Sequence, residues 1–349
     1  MEIDKLKTYQ EVIKYLDSQN RTKHLLLGNG FSMAYNSDIF SYNALSTFID
    51  KSDNELLKQL FKSINTKNFE LIMQQLDNFC EIAEIFSSDK KLVDKIKNAS
   101  VTLKNSLIAA VNELHPEHVF TIAEEKSKIC STFLESYLSK GGSVFSTNYD
   151  LLLYWTLMRN NSKYAIDGFG RELENSDDEY IAEEELIYSE LRWGKYKSGQ
   201  SIFYLHGALL IFDTGIDIVK EEYDSHNHLL EKIKTRLEKK EYPIFVTAGG
   251  AKEKLTHIMH NKYLSYCYEK FATIQGSLVV FGFNFGEYDT HIIDAINIAA
   301  HQGKKSGDKL FSVYIGVYSE ENLAHIKKIE KKFKCKITPY NARTANVWS

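Results

Sequence analysis

The chain has 349 residues, with 43 Lys and Arg against 47 Asp and Glu and only 3 Pro. A hydrophobic fraction of 43% and a charged fraction of 26% are ordinary globular values, which exclude a collagen-like repeat, a long disordered chain and a disulfide scaffold. The net charge of −4 gives no general pull toward nucleic acid or an anionic membrane.

The length allows two or three domains, or one core with a large insert. Cys80, Cys130, Cys267 and Cys335 lie far apart without a CxxC pair, so no cysteine-only zinc ribbon is expected. The charged, helix-patterned first residues do not read as a signal peptide. The apolar runs fall short of the ~20 residues of a membrane span. A soluble cytoplasmic protein is expected.

Residues 4–19 predict an amphipathic helix, with Leu6, Tyr9, Val12, Ile13 and Leu16 on one face. His24–Leu27 is a short apolar run that predicts a buried strand, and Gly28-Asn29-Gly30 a tight turn into a helix. Residues 45–140 carry a helical pattern throughout, including Leu56, Leu60 and Ile64, then Ile72, Leu76, Cys80 and Ala83. SVFSTNYD at 143–150 predicts a strand ending in a polar loop before the helix LLLYWTLMRN. A charged stretch at about 171–200 reads as a solvated insert. SIFYLHGALLIF is a strand signal broken at His206-Gly207, and residues 220–241 predict a charged helix. YPIFVTAGG predicts a strand, 253–275 a helix, GSLVVFGFNF a strand with a glycine turn, and HIIDAINIAAHQ a helix. KLFSVYIGVY, a basic helix at 320–333 and CKITPY complete the chain. Continuously apolar strands separated by helices predict an α/β, Rossmann-like parallel sheet covered on both faces. Residues 1–44 and 141–349 would form that core, with the charged insert, and 45–140 a helical insert.

Ligands of an open α/β sheet sit beyond the carboxyl ends of the strands. Four predicted strands end in polar or glycine-rich loops: GNGFS at 28–32, STNYD at 146–150, His206-Gly207, and Gly282-Phe283-Asn284. In a parallel sheet all four project from one edge. The first loop suits an anion at a helix N-terminus, but lacks the third glycine of GxGxxG and the Lys of a Walker A loop. A purely structural turn is its alternative. Asn148 and Asp150 can present an amide and a carboxylate to one ligand, or Asp150 can serve as an Asx turn or helix cap. His206 can act as a base near neutral pH, or be a hydrogen-bonded core residue. His115-Pro116-Glu117-His118 and the pair His257 and His260 lack a third ligand or an HExxH frame, so no metal is expected. No GxSxG is present. The Lys/Arg cluster at 327–336 reads as a solvated helix face, and nucleic acid is not expected as a ligand.

These loops, in this order, resemble the sirtuin-like superfamily, and most closely a bacterial domain-of-unknown-function branch of it. FSTNYDLLLYW, IDGFG, FYLHGALLIF, PIFVTAGGAKEKLTHI, NKYL and VVFGFNFGEYDTHI, with Asn68-Phe69-Glu70, carry the likeness over about residues 20–349. The resemblance implies NAD as substrate. It assigns Gly28, Asn29, Gly30, Ser32, Thr147, Gly282, Asn284 and Asp289 to binding. It assigns Asn148, His206 and Asp150 to catalysis near the nicotinamide ribose. The four-cysteine zinc module of protein deacylases is absent, and the helical block stands between the first two motifs. Asn284 stands where sirtuins carry Ser, and Thr147 where they carry Gln. Relatives without zinc hydrolyse NAD in anti-phage defence, which implies an NAD glycohydrolase held in check by oligomerisation or by a partner subunit. A non-catalytic NAD or ADP-ribose sensor, and an interaction protein with a vestigial site, are the other classes. A hydride-transferring dehydrogenase fits less well, because the glycine fingerprint is incomplete.

Overall fold

The structure, a computed structural model, describes residues 2–36, 55–63, 69–86, 90–114, 119–174, 187–223, 229–239, 241–246, 251–301 and 309–349. The chain opens on a short edge strand, β1 (Lys7–Thr8), and the helix α1 (Tyr9–Ser18). The predicted helix at 4–19 therefore begins later. Thr8 caps it, since its side chain accepts from the Glu11 amide while Glu11 accepts from the Thr8 amide. Then come β2 (Lys23–Leu27) and α2 (Asn29–Tyr35). The helical block supplies α3 (Glu55–Ser63), α4 (Phe69–Phe86), α5 (Lys90–Leu114) and α6 (Glu124–Leu138).

The central stretch holds β3 (Val144–Ser146), α7 (Leu152–Arg159), β4 (Phe169–Gly170), β5 (Leu191–Trp193), β6 (Ile202–Tyr204), β7 (Gly207–Asp213) and β8 (Ile218–Lys220). After it come α8 (Leu229–Glu238), β9 (Tyr242–Phe245), α9 (Ala251–His260) and α10 (Lys262–Phe271). The helix predicted at 220–241 is thus shorter, with its first residue in β8. The one predicted at 253–275 is two helices, because Asn261 accepts from the Tyr263 and Leu264 amides and starts a new one. The last elements are β10 (Gly276–Phe281), α11 (Thr290–His301), β11 (Leu310–Val317), α12 (Glu320–Ile329) and β12 (Lys336–Asn341).

Seven strands form one parallel sheet in the order β1-β12-β11-β10-β2-β3-β6. Every residue of β2 and of β10 is buried, as continuous apolar runs covered on both faces require. From β2 the chain steps outward through β3 to β6, then returns to the other side of β2 and steps outward through β10, β11 and β12. That is the Rossmann-like doubly wound order, with its switch point between β2 and β10. Right-handed crossovers put α1 and α6 on one face and α10 and α11 on the other. Ring contacts agree: Tyr9 and Phe281 both meet Phe133 of α6, at 5.6 and 6.0 Å. Phe271 of α10 meets Phe145 of β3 at 4.9 Å.

A second sheet is antiparallel, in the order β4-β5-β8-β7-β9. It corrects the expectation that YPIFV belongs with the parallel strands, because β9 pairs with β7. Only Leu205 and His206 separate β6 from β7, so His206 stands where the chain leaves one sheet for the other. α6, within the predicted helical insert, packs its buried Cys130, Leu134 and Tyr137 into the sheet core. Of the stretches singled out above, 37–54, 64–68 with Ile64 and Asn68, 87–89, 115–118, 175–186 and 247–250 lie outside the described residues. No helix among the described residues is long and apolar enough to cross a membrane.

Candidate functional site at the carboxyl edge of the sheet

The four loops leave β10, β2, β3 and β6, which are consecutive neighbours in the sheet. The structure therefore gathers them along one edge, at the switch point. How they meet is set first by glycine. A Cβ on Gly28 would stand 2.6 Å from the Gly282 carbonyl oxygen, and one on Gly30 2.6 Å from the Gly282 Cα. Gly30 donates its amide to Gly282 O at 2.8 Å, and Gly28 donates to Phe281 O at 3.0 Å. Both amides thus serve the contact between the β2 and β10 loops. Gly282 has φ +71°, and a Cβ there would meet the Phe31 amide at 2.5 Å. The Gly282→Ala variant combines left-handed strain with a backbone clash. It should lose about 3 kcal/mol of stability, measured as a lower urea midpoint. A loss below about 0.5 kcal/mol, the scatter of neutral substitutions, would contradict this close approach.

Asn29 opens α2, and Ser32 lies within it. Phe31 and Tyr35 of this helix meet the Trp348 ring at 5.2 and 5.1 Å, tilted and edge-on, and the Trp348 indole donates to Phe31 O at 2.9 Å. The C-terminal residues therefore clamp the glycine loop.

Ser32 is fully buried. Its hydroxyl donates to Asp150 Oδ2 and accepts from Asn148 Nδ2, the latter at 2.9 Å. Asp150 Oδ1 accepts the Leu152 amide at 3.0 Å, so the carboxylate anchors the start of α7 as well as Ser32. Burial pushes the Asp150 carboxyl up to about 6, against the lowering effect of those two hydrogen bonds. Ser146 Oγ accepts the Asn148 amide at 3.0 Å. The Thr147 hydroxyl and amide both donate to Leu27 O, at 3.2 and 3.0 Å, and tie β3 to β2. Asn148 Oδ1 makes no hydrogen bond among the described residues and is not fully enclosed.

His206 stands two residues past the end of β6, and Gly207 turns the chain with φ +76°. His206 Nε2 lies 2.9 Å from Nε2 of His291. Both rings are buried, and burial first, then neighbouring charge, holds His206 well below its ordinary value. Burial likewise takes His291 down to about 4. Both are neutral at pH 7. Beside them Lys254 of α9 donates to Asp289 Oδ1 at 2.7 Å in a buried ion pair, and Tyr268 of α10 donates to His291 O at 3.0 Å.

Ligand atoms of His206, Asp289 and His291 all lie within 4.8 Å of one another, a spacing a divalent cation can bridge. The Lys254 ammonium, however, already supplies positive charge to Asp289, and the two imidazoles bond to each other. The described geometry is that of a hydrogen-bonded polar cluster, with His291 Nδ1 buried and without a partner among the described residues.

The structure thus joins Ser32, Asn148 and Asp150 in one hydrogen-bonded set, and places His206 with Asp289 in a second at the neighbouring strand end. Asn284 stays apart, exposed, accepting from Asn322 of α12 at 3.4 Å. Sequence reasoning missed His291, Lys254 and Trp348. Only His291 carried a signal, as the polar neighbour of Asp289 at the start of an apolar helix. A groove of about 750 Å³ also lies between α1 and α6, lined by Tyr9, Ile13, Ile129 and Phe133. None of the candidate residues lines it.

The fold is thus a doubly wound α/β chain with buried polar groups at its switch point. The chain belongs to the family described as a domain of unknown function, DUF4917, whose match spans residues 25–348. A search of curated proteins finds none that matches it.

Proposed function

We propose that this chain binds NAD at the β2–β10 switch point and hydrolyses the bond between ribose and nicotinamide. The observation that carries the reading is the pairing of Asn148 and His206 at adjacent strand ends. Both are buried, and each keeps one side-chain atom, Asn148 Oδ1 and His206 Nδ1, without a hydrogen-bond partner among the described residues. The likeness of the four loops to sirtuin-like proteins adds the ligand class.

The chemistry asks little of the protein. The C1′–N bond breaks with its electron pair going to the pyridinium nitrogen, so nicotinamide leaves neutral and needs no general acid. Water forms the new bond to C1′ and releases a proton. Asn148 and His206 hold the ribose and water while positive charge develops at C1′. Asp150 supports Asn148 through Ser32. In a bacterial cytoplasm such a reaction depletes NAD, in line with an anti-phage role. Oligomerisation or a partner subunit would then restrain it.

The test is purified protein with NAD, with products followed by liquid chromatography. Nicotinamide and ADP-ribose from the native protein, lost in His206→Ala with its thermal transition retained, are expected. Stabilisation by NAD without product would replace hydrolysis with sensing, and the absence of both product and stabilisation would overturn NAD as the ligand.

A further inference from the structure

The contact between His206 and His291 is made through the same atom of each ring, Nε2 to Nε2 at 2.9 Å. Two neutral imidazoles meeting in this way share one proton, so one Nε2–H donates and the other accepts. Which ring donates follows from the other nitrogen of His291. Its Nδ1 is fully buried and has no hydrogen-bond partner among the described residues. If His291 Nε2 accepted, the His291 proton would sit on Nδ1 as a buried donor with nothing to receive it. If His291 Nε2 donates, Nδ1 keeps only a bare lone pair. Buried donors without partners are rarer in proteins than under-satisfied acceptors, so His291 is the donor.

We propose that His291 is a positioning residue that donates Nε2–H to His206 Nε2 and so fixes the His206 proton on Nδ1. That nitrogen has no partner among the described residues but, unlike His291 Nδ1, it is not fully enclosed, so a proton there meets solvent or a ligand. His206 then meets a ligand as a hydrogen-bond donor to an oxygen, and its basic nitrogen is already engaged. The ligand oxygen, a ribose hydroxyl, rests on the function proposed above; the tautomer does not.

The surroundings hold His291 for this task. Asp289, two residues earlier, is pinned by Lys254 from α9, and the His291 carbonyl is held by Tyr268 from α10. Helix α11 begins one residue before His291. The ring is therefore carried on a backbone fixed from two helices. An orienting partner of this kind sets both the ring angle and the tautomer of the imidazole it touches.

The experiment is nitrogen-15 NMR of the full chain labelled in histidine, with His206→Gln and His291→Gln used to assign the two rings. His206 protonated on Nδ1 and His291 on Nε2 is the expected result. His206 protonated on Nε2 overturns the proposal. His291→Gln keeps an N–H donor and should leave His206 on the Nδ1–H tautomer, whereas His291→Leu should mix the two forms. With NAD as substrate, His291→Leu should lower kcat about 100-fold and His291→Gln should recover most of it. Equal kcat in native, Gln and Leu proteins also overturns the proposal. If His291→Leu does not fold, the native tautomers decide. One equivalent of bound zinc, lost in both Gln variants, would overturn it in favour of metal ligation. If the native protein does not turn over NAD but shows the expected tautomers, the function above fails and the positioning assignment stands.

Discussion

Asn148→Ala is expected to lower nicotinamide release from NAD by about 1000-fold. The side chain stands at the end of β3, is 7% exposed, and keeps its Oδ1 without a partner among the described residues while Nδ2 donates to Ser32. Alanine removes the amide that the proposed mechanism uses to hold the ribose and the water. The fold should tolerate the change, because Ser32 still donates to Asp150 and the Thr147 link between β2 and β3 is untouched. One lost neutral hydrogen bond costs about 1 kcal/mol, a fall in Tm of a few degrees. Steady-state kinetics with a thermal scan separate the two effects. Turnover within a factor of about 3 of the native rate, well short of a typical catalytic contribution, would remove Asn148 from the machinery.

Acidification from pH 7 to pH 5 is expected to destabilise the fold by about 3 kcal/mol. His24 and His291 are both held down to about 4 by burial, from an ordinary 6.5. Below 6.5 the unfolded chain takes up protons at these rings and the folded chain does not. Their stabilisation, complete above that value, is therefore lost as pH falls, by about 2 kcal/mol each at pH 5. His206, also held low, acts in the same direction. Asp150 acts the other way. Its folded carboxyl titrates at about 6, against 3.8 in the unfolded chain, so it gains a proton first in the folded state and returns about 1 kcal/mol. Urea unfolding at the two pH values measures the net change, and Asp150→Asn should make the loss steeper. A protein more stable at pH 5 than at pH 7 would contradict the buried, neutral histidines.

The parallel core was legible because its strands are short apolar runs that stop at glycine or at a polar turn. Leu25–Leu27 before Gly28, and Leu278–Phe281 before Gly282, are strands in the structure for that reason. The antiparallel sheet was not legible. β4 and β5 are two and three residues long, too short to show a period. β9 has the same apolar character as a parallel strand, and only its partner, β7, distinguishes it. The start of α1 was readable in the Thr8–Glu11 capping box but was masked by Leu6, which continues the apolar spacing. At the edge of the sheet, the strand-end residues Ser32, Asn148, Asp150 and His206 could be found one loop at a time. Their division into two hydrogen-bonded sets could not, because it depends on side chains far apart in sequence. His291 is 85 residues from His206, and Lys254 lies on a charged helix with nothing local to mark it. Gly28 and Gly30 show the limit of motif reading. The pattern suits an anion, and the structure shows it also suits a close approach to Gly282.

On the proposed function, the edge between β10, β2, β3 and β6 receives a nucleotide. The most direct measurement is a crystal structure of the protein with ADP-ribose, the product that cannot be hydrolysed further at this bond. The terminal ribose is expected between Asn148 and His206, with a hydroxyl oxygen facing His206 Nδ1. Density for ADP-ribose in the groove between α1 and α6, or none at millimolar ligand, would contradict it.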